Sequence, residues 1–126
     1  MPDAINIQIG GKIMDSQETF SQILKAVKIL VSEKKAELYK ECNFDVLIDT
    51  ETAYRVIIEF DNCMGEILVN QPYFAPYRFV KIEMLSSVCV EDTHIFIWYD
   101  SESDSVDEIL FQIRKCFDIA KKYNGK

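Results

Sequence analysis

A chain of 126 residues with Leu, Ile, Val or Phe at 40 positions buries enough apolar surface to fold without staples, and it reads as one domain over residues 1–126. That composition excludes a disordered tail, a collagen-like chain and a disulfide miniprotein. The net charge of −7, from 14 Lys and Arg against 21 Asp and Glu, argues against a nucleic-acid partner, because phosphate backbones are bound by displacing counterions with Lys and Arg.

Ile5, Ile7 and Ile9 alternate with polar residues before Gly10-Gly11, which predicts a short strand over residues 4–9 and a bend. Asp15-Ser-Gln-Glu18 has the form of a capping box. Phe20, Ile23, Leu24, Val27, Leu30 and Val31 follow as one apolar stripe, so a helix is expected from about residue 16 to 40. Phe44, Val46 and Ile48 alternate with Asp45 and Asp49, and after a turn at Thr50–Thr52 so do Tyr54, Val56, Ile58 and Phe60 with Arg55 and Glu59. Both patterns predict half-buried strands. Asn62-Cys-Met-Gly65 reads as a hairpin loop leading to a strand with Ile67 and Val69. Residues 71–77 hold Pro72 and Pro76 and form a loop, since neither proline suits a central strand. A longer strand is expected from Arg78 through Met84 to Val90, then a turn at Glu91-Asp92. The last strand, Ile95–Tyr99, is apolar on both faces. Beyond the polar linker Asp100–Asp104, Ser105-Val-Asp-Glu108 is a second capping box. It opens a helix with a stripe of Val106, Ile109, Leu110, Ile113, Phe117 and Ala120, and Gly125 suits its end. Strands joined by short loops pair antiparallel. The expected fold is therefore α+β: an antiparallel sheet of five or six strands with an N-terminal and a C-terminal helix packed on one face.

Charge is unevenly distributed. From Ile82 to Ile113 there is no Lys or Arg, but there are eight acids: Glu83, Glu91, Asp92, Asp100, Glu102, Asp104, Asp107 and Glu108. An acidic patch attracts basic protein partners and speeds docking; excess charge also serves plain solubility. Cys42, Cys63, Cys89 and Cys116 stand apart with no C-x-x-C pair, and no secretory apolar region follows Met1. Free thiols and a cytoplasmic setting are expected. No apolar run approaches the length of a membrane span, so no membrane partner is expected.

Catalytic and metal signatures are weak. His94 is the sole histidine and would have to serve as the base of any triad, while Cys89 and Cys116 lack local signs of an activated thiol. Asp100, Glu102 and Asp104 fit positions 1, 3 and 5 of a calcium loop, but Ser105 and Phe111 stand where that loop needs Gly and Glu. Gly10-Gly11 fits no phosphate cradle. No catalytic residue, metal site or cofactor is expected, and the protein reads as a non-enzyme.

Aromatic residues remain. Tyr73, Phe74 and Tyr77 lie in the proline-bounded loop beside Arg78, and Trp98 and Tyr99 end a strand just before the acidic linker. Tyr, Trp and Arg dominate interface hot spots; Trp98 and Phe74 would equally serve to close the end of a core. If loop and linker fall on one side, they make aromatic anchors with an acidic rim, suited to a basic protein.

The segments Gly65-Glu-Ile-Leu-Val-Asn, Pro76-Tyr-Arg-Phe-Val-Lys-Ile-Glu83 and Trp98-Tyr-Asp-Ser-Glu-Ser-Asp104, followed by a closing helix, resemble small bacterial immunity proteins of polymorphic toxin systems across residues 40–110. This resemblance implies a cytosolic protein that neutralises a cognate toxin domain by tight binding, without enzymatic activity. Many such toxins are basic nucleases, and an acidic inhibitor can mimic the phosphates they bind. The expected partner-binding surface is Glu91, Asp92, Asp100, Glu102, Asp104, Asp107 and Glu108, with Trp98 and Tyr99 as anchors. A secretion-chaperone-like protein is the second reading, binding an exported partner along an apolar strand face. A small-molecule enzyme with a pocket at His94, and a subunit of a larger assembly, are further readings.

Overall fold

The computed structural model of the protein describes residues 16–89, 91 and 93–125. The expected strand at 4–9, the Gly10-Gly11 bend and Asp15 lie outside them. Helix α1 (Ser16–Leu38) precedes strands β1 (Asn43–Asp49), β2 (Tyr54–Glu59), β3 (Cys63–Val69), β4 (Val80–Ser86) and β5 (His94–Tyr99), and helix α2 (Val106–Lys122) closes the chain. The strands pair antiparallel in chain order, β1-β2-β3-β4-β5, because each link is short enough to return the chain beside itself. The fold is α+β, as the sequence patterns predict.

One face of the sheet is apolar and covered. Tyr54, Val56 and Ile58 on β2, Ile67 and Val69 on β3, and Val80, Ile82 and Met84 on β4 are buried. They meet Phe20, Ile23, Val27 and Val31 of α1 and Ile109, Ile113, Phe117 and Ala120 of α2 in one core. Phe20 meets Phe79 edge-on at 5.2 Å, and Phe117 stacks on Phe44 at 5.9 Å. Ser105 caps α2, its hydroxyl accepting the Glu108 amide at 3.1 Å. The reciprocal half of the box is not made, since the Glu108 carboxylate takes the Gln112 amide at 2.8 Å instead.

Among the described residues, the other face carries no helix. A ladder of charge crosses it from β2 to β5. Glu66 is the hub, 2.7 Å from Arg55 and 2.9 Å from Lys81, while Glu83 pairs with His94 at 2.8 Å. Burial raises the Glu66 carboxyl, but the hydrogen bonds from Lys81 and Arg55 outweigh it and hold the group below its usual range. A carboxylate depressed in the folded state stabilises the fold above its unfolded pKa, near 4.3, and that contribution disappears as pH falls through the folded value. Glu66→Gln is therefore expected to cost about 1 kcal/mol at neutral pH, because Arg55 and Lys81 keep part of their hydration. The same variant should show a shallower loss of stability below pH ~4; urea titrations at several pH values check both.

Three local expectations are corrected. Asn62-Cys-Met-Gly65 is not a loop: β3 begins at Cys63, and the turn closes with the Phe60 amide on the Cys63 carbonyl at 2.8 Å. Gly65 is glycine for closeness of strands, since a Cβ there would lie 1.9 Å from the Glu83 carbonyl oxygen. Strand β4 stops at Ser86 rather than running to Val90, because the Ser86 hydroxyl accepts the Val88 and Cys89 amides and turns the chain. Phe44, Val46 and Ile48 do not share a face. A bulge between Val46 and Ile48 places Ile48 opposite Arg55, on the uncovered side.

The four thiols divide sharply. Burial pushes Cys42 and Cys116 up to about 12 and Cys63 up to about 11. Cys89 is exposed, and hydrogen bonds from Ser86 and Tyr123 lower its thiol. A thiol reagent at mildly alkaline pH should modify one cysteine quickly in the native protein and all of them after unfolding. Cys89→Ser should abolish the fast phase.

Candidate interaction surface

One end of the sheet, where β3 and β5 finish and β4 begins, is closed by two loops. The first, residues 70–79, is fixed at its base: the Asn70 amide donates to the Phe79 carbonyl at 3.0 Å, and the Tyr77 hydroxyl donates to Asn70 Oδ1 at 2.9 Å. Phe79 is buried against Phe20. At the apex, between Pro72 and Pro76, Tyr73 and Phe74 are each 98% exposed. Adjacent large aromatic side chains left wholly in water contribute nothing to the core.

The second loop is the linker from Asp100 to Ser105. The Asp104 carboxylate accepts the Ser101 amide at 2.7 Å and the Ser101 hydroxyl at 3.1 Å, so the linker is a closed turn. Arg78 joins the two loops. Its amide donates to the Asp100 carbonyl at 3.0 Å, and its guanidinium reaches Asp100 Oδ2 at 3.1 Å and the Asp104 carbonyl at 3.3 Å. A cleft of about 520 Å³ separates Tyr73 and Tyr77 from Ser101 and Glu102. A second, of about 410 Å³, lies between Glu102 and the first turns of α1 and α2. Glu102 borders both.

The nine residues expected to bind a partner do not form one patch. Glu91 is exposed in the β4–β5 connection, at the far end of the sheet from Tyr99. Seven residues of β4 separate the two ends, roughly 20 Å at strand rise. Asp92 lies outside the described residues. Trp98 and Tyr99 point to opposite faces, as successive strand residues must. Trp98 lies opposite Ile82 and packs on the core, whereas Tyr99 lies opposite Lys81 on the uncovered face, its ring 6.2 Å from that of Tyr77. Asp100 is 2% exposed and serves the interior. Asp104 spends its carboxylate on the linker, and Glu108 is half-buried against Gln112. Glu102 and Asp107 remain, both exposed and, among the described residues, without an ion pair.

Tyr73 and Phe74 are the most exposed aromatic side chains at this end. Their position between two prolines was the available sequence signal. The alternative, that Phe74 closes the core, fails on its exposure; for Trp98 the core role holds. His94 lies on the uncovered face against Glu83 and borders neither cleft. Among the described residues no group of three His, Cys, Asp or Glu converges to hold a metal ion, and no helix is long and apolar enough to cross a membrane. Comparison of the chain with protein-family models, curated proteins and solved structures finds no match.

Proposed function

We propose that this protein is a cytoplasmic, non-enzymatic binding module that neutralises a basic protein partner, as immunity proteins neutralise cognate bacterial toxin domains. The observation that carries the reading is the pair Tyr73 and Phe74, wholly exposed on a proline-bounded loop that is joined to the acidic linker at one end of the sheet. Desolvated aromatic anchors supply most of the affinity of a tight interface. Glu102 and Asp107, within a segment that lacks Lys and Arg from Ile82 to Ile113, supply a field that draws a basic surface in and repels polyanions.

Affinity capture from lysate of the source cell, with wild type and Tyr73→Ala/Phe74→Ala side by side, tests this. The expected result is one stoichiometric basic protein, retained by wild type at moderate salt and lost by the double variant. Equal retention by both would remove the aromatic loop from the interface. A partner held by apolar contacts at high salt, lost when Ile97 and Tyr99 on the uncovered face are substituted, would instead favour the secretion-chaperone reading.

A further inference from the structure

We infer that Asp100 is a positioning residue which, through Arg78, locks the aromatic loop and the acidic linker into one preorganised unit. This rests on the binding reading above and adds how the surface is held in shape. Of the three acids in Asp100-Ser-Glu-Ser-Asp104, one works inward. The Asp100 side chain is fully enclosed. Its Oδ1 accepts the amides of Phe79 at 2.7 Å and Val80 at 2.8 Å, at the base of the aromatic loop. Its Oδ2 accepts Arg78 Nε, and Arg78 Nη2 continues to the carbonyl of Asp104 at the linker's far end. One carboxylate thus engages the end of one loop directly and the end of the other through a guanidinium.

A neutral Asn or Ser could accept the Phe79 and Val80 amides. The charge is required only by Arg78. Enclosing an ion pair is a weak route to stability, because desolvation offsets most of the attraction; its best-supported use is to fix register. Here the register is that of Tyr73 and Phe74 relative to Glu102. Holding it before contact reduces the ordering entropy lost on association, and the planar fork of Arg suits two acceptors at once.

The free protein tests this without a partner, so its outcome is separable from that of the capture experiment. Pro76→Ala removes the φ restraint at the loop apex and lowers the free energy of local opening there. Amide hydrogen exchange followed by NMR reads whether the linker responds. In the wild-type background, Pro76→Ala should speed exchange at Ser101 and Asp104 as well as in the loop. Asp100→Asn keeps an acceptor for Phe79 and Val80 but loses the ion pair. It should speed exchange in both loops by about tenfold or more, leave Ile57 and Ile67 protected, and make the linker indifferent to Pro76→Ala. Linker amides that ignore Pro76→Ala in the wild-type background, or that respond to it equally beside Asp100→Asn, would overturn the inference. If Asp100→Asn also exposes Ile57 and Ile67, Arg78→Lys replaces it. That variant keeps the charge near Asp100 and loses the reach to Asp104, and the same two outcomes decide.

Discussion

Gly65→Ala is expected to destabilise the protein by about 4 kcal/mol, at the upper end of single substitutions. Gly65 sits inside β3, opposite Met84 of β4. An added Cβ would fall 1.9 Å from the Glu83 carbonyl oxygen and 2.7 Å from the Met84 Cα. Both are backbone atoms in the centre of the sheet, so no side-chain rotation relieves the clash. Either β3 and β4 separate locally, losing ladder hydrogen bonds, or the covered face shifts and opens the core around Ile67 and Ile82. A domain stable by 5–15 kcal/mol would survive with a much lower denaturation midpoint or be recovered insoluble. Guanidinium titration distinguishes these from a midpoint at the wild-type value, which would mean that the strands approach less closely than described.

Asp100→Ala is the second large effect, at about 3–4 kcal/mol. The truncation leaves the buried Phe79 and Val80 amides without their acceptor and the mostly buried Arg78 without its anion. Asp100→Asn should cost less than half as much, since the amide oxygen still accepts both backbone donors. Glu102→Ala, on the same linker but exposed, should barely move the midpoint. Chemical denaturation of the three variants orders them. A midpoint for Asp100→Ala near that of Glu102→Ala would show that the enclosed carboxylate contributes nothing to the fold.

The elements of this fold were legible where periodicity is long. The α1 stripe, the β2 alternation, and the Ser105 cap with the stripe of α2 all appear where the residues place them. What was not legible depends on partners distant in sequence. Gly65 looks like a turn residue until the β4 backbone is laid beside it. Ile48 obeys a period of two that the bulge at Leu47 resets. The Ser86 hydroxyl ends a strand whose apolar residues continue. At the candidate surface, composition named a run of acids but not the direction in which each side chain points. A run of acids does not show which of them turns inward, and only partners about twenty residues away, Arg78 and the Phe79 and Val80 amides, explain why Asp100 does. The opposition of Trp98 and Tyr99 was readable from strand geometry alone.

The most direct test of the central claim is the binding kinetics of the captured partner with wild type, Tyr73→Ala/Phe74→Ala and Glu102→Gln, at two salt concentrations. Truncating two central anchors should raise the dissociation rate by about thirtyfold or more while leaving association nearly unchanged. Glu102→Gln should slow association at low salt, and the difference should shrink as salt rises. Dissociation and association rates equal to wild type in both variants would contradict the account and place the interface elsewhere on the molecule.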